Sequence, residues 1–459
     1  MALSFYDTLS RSKVSFVPLN EANVRLYVCG PTVYDIAHIG NARPVVVFDV
    51  LYRLLSYLYP KVTYVRNITD VDDKINERAL ESGRSIREIT EETAAIFQKD
   101  MLEIGALPPD YEPRATEHIV HMIEMIDALI AKGHAYIRDG HVLFSVPSMP
   151  EYGQLSKRNR DEQIAGARVD VAPYKRDPAD FVLWKPSEDN VPGWESPWGF
   201  GRPGWHIECS AMSNVYLGKT FDIHAGGIDL VFPHHENEIA QTRCAFEIPK
   251  MASIWMHNGY VTVEGEKMSK SLGNFYTVHD LLDEWPGEVI RYALLAGHYR
   301  APLNYSKEGL ADARSALDRL YQSLRGLTEV SNCSVEPSEP IISALSDDLN
   351  TPLALARLHE LAGRLNRSTN ASESAEMHGK LLASAKLLGL LQQEPEKWFQ
   401  QSKGSAGTLL DDKIQELIQI REQARTLGDF STADKIRDEL KLNGILLEDG
   451  ESGTKWKRN

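Results

Sequence analysis

Short hydrophobic runs alternate with amphipathic segments over the first part of the chain. Residues 25–29 have the pattern of a strand that ends at Gly30-Pro31, residues 42–59 have helical spacing, and residues 62–69 have the pattern of the next strand. Pro44 is expected in the first turn of the helix, where its missing N–H is tolerated. A strand–helix–strand unit of this length predicts a parallel sheet that binds ligands at the carboxyl ends of its strands.

The pattern changes several times further along the chain. Polar loops rich in Pro and Trp surround short strand-like pieces, as is typical of an insertion, and the strand pattern then returns around a helix near His234. The later part is mostly helical and is interrupted by a Gly/Ser-rich linker. The predicted segments are an amphipathic helix at 114–132, an insertion at 135–204, strands at 221–224 and 254–257, helices within 306–395, a linker at 402–408, helices at 409–427 and 430–442, and a strand from residue 445.

Composition narrows the class of protein. The 459 residues are 42% hydrophobic and 25% charged, which excludes a disordered or collagen-like chain. The net charge of −15 argues against binding to nucleic acid or anionic membranes over the whole surface. Four cysteines are too few for a disulfide framework, and no run reaches the roughly 18 apolar residues of a membrane span. With no signal-like start, these features predict a soluble, cytoplasmic protein.

The segment between the first strand and the first helix contains His38, Gly40 and Asn41. Imidazole and amide donors at a helix N-terminus can bind phosphate oxygens. Gly40 lets the backbone approach a flat base or a ribose. The alternative interpretation of His38 is a histidine in a turn with no role in ligand binding.

A second cationic element occupies residues 264–274. Lys267 and Lys270, three apart in a Gly/Ser-containing loop, form a clamp suited to a polyphosphate leaving group. The alternative is a solvated surface loop. The chain contains both this lysine loop and the His38 segment, with the His38 segment first. The presence of both in this order argues against a chance match.

A set of metal-ligand residues is scattered along the chain. His234 and Glu238 are four apart and would share one face of a helix, and Cys29 and Cys209 could add two soft ligands. A Cys/Cys/His/Glu set is typical of zinc, but local spacing cannot join cysteines that lie so far apart in sequence. His235 is expected on another side of the helix, with a role in substrate binding or structure. Cys244 and Cys333 are interpreted as small apolar residues.

Together these motifs resemble the class I aminoacyl-tRNA synthetases, and specifically the cysteinyl-tRNA synthetase family, nearly from end to end. The matching segments are 27–35 (YVCGPTVYD), 67–74 (NITDVDDK), 113–118 (PRATEH), 203–212 (PGWHIECSAM), 232–238 (FPHHENE), 267–271 (KMSKS), 433–438 (ADKIRD) and 453–456 (GTKW). Two departures are Asn41 where the family signature usually ends in a second histidine, and Ala225 where the family tends to have glycine. Asn41 retains a donor but cannot become cationic.

The resemblance implies an α/β fold whose Rossmann-like catalytic domain carries an insertion. A helical bundle and a small mixed α/β anticodon-binding domain would follow it. The implied divisions are a first catalytic half at 1–134, a connective insertion at 135–204, a second half with the lysine loop at 205–305, a helical bundle at 306–400 and an anticodon-recognition domain at 401–459.

The resemblance also implies roles for the residues. Cys29, Cys209, His234 and Glu238 would hold one Zn²⁺, which would bind the thiolate of substrate cysteine. The remaining implied roles are contact with ATP phosphates for His38 and Asn41, ATP binding for Gly40 and Lys270, stabilisation of pyrophosphate by Lys270 with help from Lys267, and substrate binding for Trp205, Gly30 and Thr32. Mg²⁺ would accompany ATP. The alternative for Trp205 is packing in the insertion core.

The implied partners are tRNA-Cys, ATP and L-cysteine, bound by a monomer. Arg421, Arg425 and Arg437 would contact RNA, and Trp456 would stack on a base. A solvated helix face is the alternative for Arg421 and Arg425.

Two other functions share some of these features. A mycothiol-type ligase joins cysteine to an amino-sugar, but it resembles the catalytic half only. A non-catalytic, zinc-dependent RNA-binding paralogue has no need of a pyrophosphate clamp.

Overall fold

A computed structural model describes residues 2–166, 172–188, 191–268, 274–325, 335–401, 409–450 and 453–458. Lys270, Cys333 and the predicted linker at 402–408 lie outside these residues. Within the described part, no helix is both long enough and apolar enough to cross a bilayer.

Four parallel strands form the sheet that carries the site. In sheet order they are β10 (Ala252–Asn258), β9 (Phe221–Gly227), β3 (Val24–Val28) and β4 (Val62–Arg66). All of β4 and nearly all of β9 is buried, as expected of parallel strands covered on both faces. The predicted parallel sheet is confirmed, and its strands end close to the predicted positions.

Helix α1 (Ile39–Leu58) begins three residues before the predicted start at residue 42. His38 caps it: the ring Nδ1 accepts a hydrogen bond from the Gly40 N–H at 3.1 Å, and the Asn41 side-chain oxygen accepts from the His38 N–H at 3.1 Å. This reciprocal cap fixes the early start. The placement of Pro44 in the first turn is therefore wrong, because Pro44 lies in the second turn.

The predicted insertion contains an antiparallel sheet. Its strands are β5 (Ala135–Arg138), β6 (His141–Phe144), β7 (Phe181–Pro186) and β8 (Gly201–Pro203), with α5 (Arg160–Gly166) between β6 and β7. Trp184 on β7 is fully buried in its core. The segment therefore has a sheet of its own.

Further helices surround the two sheets. The segment predicted as one helix at 114–132 is a 3₁₀ turn (Ala115–His118) followed by α4 (Ile119–Ala131). The other elements of this half are the hairpin β1 (Ser4–Asp7) and β2 (Ser12–Ser15), helices α2 (Asp73–Ser82), α3 (Ile86–Glu103), α6 (Trp205–Leu217), α7 (Glu236–Phe246), α8 (Val278–Glu284) and α9 (Gly287–Leu295), and strands β11 (Val261–Val263), β12 (Glu266–Lys267) and β13 (Leu303–Tyr305).

The described part of the C-terminal half is helical, as predicted, and the strand predicted from residue 445 is the first strand of a final hairpin. Its elements are α10 (Lys307–Leu324), α11 (Glu339–Ser346), α12 (Thr351–Arg367), α13 (Ala371–Leu388), α14 (Pro395–Gln400), α15 (Asp411–Thr426), α16 (Phe430–Leu442), β14 (Ile445–Gly450) and β15 (Gly453–Arg458). The last two helices and the hairpin share a small core that includes Leu440 and Trp456. Arg325 at the end of α10 pairs with Glu396 on α14 and with Glu448 on β14, and the pair with Glu448 joins the final module to the helices before it.

Candidate metal centre and nucleotide site

Cys29 follows β3 at the carboxyl edge of the sheet, and the next residue must be glycine. A Cβ on Gly30 would lie 1.7 Å from the backbone oxygen of Asn67, which no side chain tolerates. The Gly30 N–H donates to the Asn67 side-chain oxygen at 2.9 Å, and Thr32 forms a parallel bridge with Thr69. The turn after β3 is thus held tightly against the segment after β4. Gly30 and Thr32, predicted to bind substrate, lie beside the predicted metal ligands.

The structure brings the four predicted metal ligands together. The ligating atoms of Cys29, Cys209, His234 and Glu238 all lie within 4.8 Å of one another, and all four residues are buried. Cys29 Sγ is 3.7 Å from Cys209 Sγ and 3.6 Å from His234 Nε2. Two sulfurs, one imidazole nitrogen and one carboxylate oxygen can hold a metal ion here.

His234 lies in a turn and not in the helix that the sequence predicted for it. Helix α7 begins at Glu236, and His234 lies in the five-residue turn (Val231–His235) that precedes it, where Phe232 has non-helical angles. The His234 Nε2 atom is nevertheless 3.1 Å from Glu238 Oε1. The i, i+4 pairing was predicted correctly, although the helix does not extend through both residues.

His235 does not face away from the cluster, so that expectation is wrong. Its Nε2 atom lies 3.3 Å from Cys29 Sγ, because the turn aims both histidines toward the same buried space. His224 on β9 also enters, with Nε2 2.8 Å from Glu238 Oε2. Cys29, His224, His235 and Glu238 form a second set whose ligating atoms lie within 4.8 Å of one another. The sequence signal for His224 was its place near the carboxyl end of a predicted strand.

The electrostatics of the cluster favour a bound cation. Burial raises the pKa of the Cys29 thiol well above its usual value, and Cys209 and Glu238 raise it further. The bond from Cys29 lowers the pKa of Cys209, but burial and Glu238 outweigh this and leave that pKa raised as well. Burial and the neighbouring His224 lower the pKa of His235 well below the usual value, so this ring is neutral. A divalent cation would supply the positive charge that stabilises both thiolates.

Two aromatic side chains at the start of α6 contact His234. The Trp205 ring, predicted to wall the amino-acid pocket, stacks on the His234 ring with centroids 4.3 Å apart. His206, which the sequence analysis missed, places Nδ1 2.9 Å from His234 Nδ1. A partner on the second ring nitrogen fixes the orientation of a ligating histidine. Nδ1 is therefore occupied, and Nε2 is aimed at the cluster.

The start of α1 contains the residues predicted to contact ATP. The His38 ring packs edge-on against Phe275 at 5.3 Å, beside the first N–H groups of the helix. A Cβ on Gly40 would lie 2.8 Å from the His38 ring and 3.3 Å from the end of the Met268 side chain. Since the capping bond uses the Asn41 amide oxygen, the amide nitrogen is the group that can donate to a ligand. Lys267 belongs to β12, next to Met268, so its strand leads to the start of α1. Lys270 lies outside the described residues.

The predicted RNA contacts in the last module have different surroundings. Arg421 is buried and donates to both Asp449 carboxylate oxygens, at 2.8 and 2.7 Å. Arg425 also pairs with Asp449, whereas Arg437 pairs with acidic neighbours on its own helix. Stacking of Trp456 on a base is not supported, because Trp456 is only 2% exposed and fills the core of this module.

Comparisons with known proteins agree with this arrangement. The family model for the tRNA synthetases class I (C) catalytic domain matches residues 15–315, and that for the DALR domain matches residues 341–392. A Mycobacterium tuberculosis methionyl-tRNA synthetase structure aligns with a TM-score of 0.57 at 15% identity, over 82% of this chain and 93% of that one. The LeuRS of Agrobacterium radiobacter K84 aligns with 0.58 at 12% identity, over 84% and 86%. The fold is that of a class I aminoacyl-tRNA synthetase.

Close relatives narrow the class further. The chain is 61% identical to the cysteine–tRNA ligase of Rhodospirillum rubrum over 458 residues and 60% identical to that of Paramagnetospirillum magneticum over 460 residues. Each alignment covers 100% of this chain and 100% of the relative. It is 54% identical to the cysteine–tRNA ligase of Xanthomonas campestris over 459 residues, covering 100% of this chain and 99% of that one. The chain belongs to the cysteine–tRNA ligase family.

Proposed function

We propose that this chain activates L-cysteine with ATP to cysteinyl-adenylate and transfers the cysteinyl group to the 3′ end of tRNA-Cys. The observation that carries the proposal is the buried cluster of Cys29, Cys209, His234 and Glu238 at the carboxyl edge of the sheet. Full-length relatives at 53–61% identity, all cysteine–tRNA ligases, support the same reaction.

The metal that fits this cluster best is Zn²⁺. Thiolates, imidazole and carboxylate are the donors that zinc accepts, and the four buried ligand atoms supply two of the first and one each of the others. When bound, zinc supplies a soft Lewis acid that prefers the thiolate of cysteine to the hydroxyl of serine. Without such a centre, a binding pocket discriminates between two amino acids as similar as cysteine and serine by only about 10²-fold in kcat/KM.

The residues around the metal ligands would fix their geometry. Trp205 stacks on His234, and His206 occupies its Nδ1, so the ring presents Nε2 to the cluster. His224 holds one oxygen of Glu238. Beside the cluster, the turn at Gly30 and Thr32 would form the floor of the amino-acid site. Its backbone is anchored on the segment after β4.

ATP, with Mg²⁺, would lie at the start of α1. The helix N-terminus attracts phosphate, and Gly40 keeps the approach open. His38 and the Asn41 amide would contact the phosphates as the cysteine carboxylate attacks the α-phosphorus. Lys270, helped by Lys267, would stabilise the negative charge on departing pyrophosphate. The end of the Met268 side chain would lie 3.3 Å from a Cβ added to Gly40. Because Met268 directly follows Lys267, this distance supports contact between the lysine loop and the start of α1.

Transfer to RNA is favoured over transfer to an amino-sugar by the last module. Residues 409–450 and 453–458 form a folded unit that ion pairs join to α10 and α14. Arg425 on α15 and Arg437 on α16 remain proposed RNA contacts, and Arg421 would hold the β14–β15 hairpin against α15. We also propose the segment divisions 1–134, 135–204, 205–305, 306–400 and 401–459, a monomer, and a cytoplasmic location where ATP and tRNA are available.

An exchange assay tests the activation step. Wild-type protein should convert labelled pyrophosphate to ATP when cysteine is present, and serine should support the exchange at least about 10²-fold less well. Removal of metal by a chelator should abolish the exchange, and added Zn²⁺ should restore it. Exchange that is equally fast in metal-free protein would contradict the zinc assignment.

A further inference from the structure

Glu208 is a buried acid that has no part in the reaction as proposed above. It lies in the first turn of α6, next to the predicted zinc ligand Cys209, and is only 1% exposed. Within the described part of the chain its carboxyl group forms no ion pair, and its one side-chain hydrogen bond is with the Thr69 hydroxyl at 2.9 Å. Burial of an acid is costly unless donors or a cation compensate it. A ligand that brings N–H donors or positive charge would therefore be stabilised here.

Thr69 lies between Glu208 and the turn predicted to bind substrate. The Thr69 N–H donates to the Pro31 carbonyl at 3.0 Å, and the Val33 N–H donates to the Thr69 carbonyl at 3.1 Å. These two bonds hold Thr69 alongside Thr32. A group that acts on the Thr69 hydroxyl thus acts at the edge of the proposed amino-acid site.

The hydrogen bonds that lead to Thr69 run in one direction. The Gly30 N–H donates to Asn67 Oδ1 at 2.9 Å, which fixes the orientation of the Asn67 amide. The amide nitrogen therefore faces Thr69 and donates to its Oγ1 atom at 3.1 Å. Because the Thr69 oxygen accepts this bond, its own proton goes to Glu208 Oε2.

The Thr69 hydroxyl is consequently an acceptor toward a ligand. A hydroxyl has one proton and two acceptor positions. Glu208 takes the proton, and Asn67 takes one acceptor position. The second acceptor position can serve only a donor. Without Glu208 the hydroxyl could turn and donate instead, so Glu208 sets the polarity of this group.

The same chain of hydrogen bonds lies against the metal cluster. Asn67, which donates to Thr69, has its Oδ1 atom 3.6 Å from Cys209 Sγ. In L-cysteine the sulfur and the amino nitrogen are carried by adjacent carbon atoms. A substrate thiol held at the cluster would therefore bring the α-ammonium group, which is a donor only, into the neighbouring space where Thr69 lies.

We propose that Glu208 is a positioning residue for recognition of the amino group of the substrate. Glu208 takes the Thr69 proton, and the Thr69 oxygen then accepts from the α-ammonium group of L-cysteine. This inference rests on the proposed function, and it adds selection for the amino group to selection for the thiol. The alternative is a purely structural role, in which Glu208 only joins α6 to the segment after β4, and the experiment separates the two.

The test compares Glu208→Met, which removes the acceptor, with Glu208→Gln, which retains an acceptor oxygen. Each full-length protein is assayed for the KM and kcat of cysteine-dependent pyrophosphate exchange, for inhibition by 3-mercaptopropionate, and for zinc content. 3-Mercaptopropionate has the thiol and the carboxylate of cysteine but no amino group. Glu288→Met is the matched control, because Glu288 is also a buried acid that accepts from a hydroxyl, that of Tyr321 at 2.7 Å, but lies between α9 and α10.

The measured quantity is the inhibition constant of 3-mercaptopropionate divided by the KM for cysteine. For Glu208→Met this ratio should fall at least about tenfold, as expected for loss of a hydrogen bond to a charged group. The change should lie in the KM for cysteine, with kcat and zinc content as in wild type. Glu208→Gln should recover most of the ratio, and Glu288→Met should show the wild-type ratio.

A double variant tests whether Glu208 acts through Thr69. Thr69→Val should lower the ratio as Glu208→Met does, and the two changes together should add little further loss. If Glu208→Met does not fold, a wild-type ratio in Thr69→Val overturns the proposal by itself.

Four results would overturn the proposal. They are a wild-type ratio in Glu208→Met, loss of zinc from that variant, additive losses in the double variant, and equal weakening of cysteine and 3-mercaptopropionate, which indicates a structural role. Wild-type protein that shows no cysteine-dependent exchange would instead refute the proposed function itself.

Discussion

His224 Nε2 lies 2.8 Å from Glu238 Oε2, and both side chains are completely buried. The other oxygen of Glu238 faces Cys29 and His234. A histidine on β9 thus orients a predicted ligand on α7. Bonds of this kind are commonly worth 10–100-fold in metal affinity.

His224→Ala should therefore weaken metal binding by about 10–100-fold without removing a predicted zinc ligand. Competition between the protein and a chelator of known affinity measures this change. His121→Ala, at an exposed position on α4, is the control and should bind metal as wild type does. Wild-type affinity in His224→Ala would show that Glu238 does not depend on this bond.

Cys209→Ala should remove one soft ligand from the cluster. We expect substoichiometric zinc by elemental analysis and a loss of at least about 100-fold in cysteine-dependent exchange, because the metal defines the thiol site. Cys244→Ala is a matched control, since Cys244 is also a buried free cysteine but is in neither candidate metal set. Full zinc occupancy in Cys209→Ala would contradict the ligand assignment.

Gly30→Ala should distort the turn that carries Cys29. The added Cβ would meet the Asn67 backbone oxygen at 1.7 Å, so the free energy of unfolding should fall by about 1–3 kcal/mol and exchange should be impaired. Chemical denaturation of the purified protein measures the stability. Gly363→Ala within α12, where the nearest atom is the end of the Arg367 side chain at 3.5 Å, should instead be neutral or slightly stabilising. Equal behaviour of the two variants would refute the steric argument.

The attachment of the final hairpin should weaken in acid. The hydrogen bond from Arg421 lowers the pKa of Asp449 well below its usual value. This stabilisation is fully present above the unfolded pKa of about 3.9 and is lost as the pH falls through the lower folded pKa. Hydrogen exchange should therefore show less protection of β14–β15 at pH 3 than at pH 6.

Asp449→Asn should reduce that protection already at pH 6 and leave it less sensitive to acid. Asp434→Asn, which removes an exposed carboxylate that pairs with Arg437 within α16, should behave as wild type. An acid response in Asp449→Asn as large as in wild type would assign the effect to another group.

Much of the site could be predicted because the carboxyl ends of parallel strands lie at the same edge of the sheet. Cys29 follows β3 and therefore lies at the same edge as the end of β9, near the turn that carries His234. Sequence spacing could not join Cys29 to Cys209, which are 180 residues apart, and only the family resemblance did so.

The errors arose where local geometry departs from a regular element. His235 was assigned to another helix face, but α7 begins only after it, so helical periodicity does not apply there. Pro44 was predicted in the first turn but lies in the second, because the cap formed by His38 and Asn41 starts the helix three residues earlier in the sequence. Trp456 lies in a strand of six residues, and only the packing of α15 and α16 shows which side of that strand is buried.

Charging of tRNA-Cys tests the central claim most directly. Purified wild-type protein with Zn²⁺, Mg²⁺ and ATP is incubated with a tRNA-Cys transcript and labelled cysteine or serine, and acid-precipitable label is counted. The account predicts rapid attachment of cysteine and at least about 10²-fold slower attachment of serine. No attachment of cysteine to tRNA, or attachment of serine at a comparable rate, would contradict it.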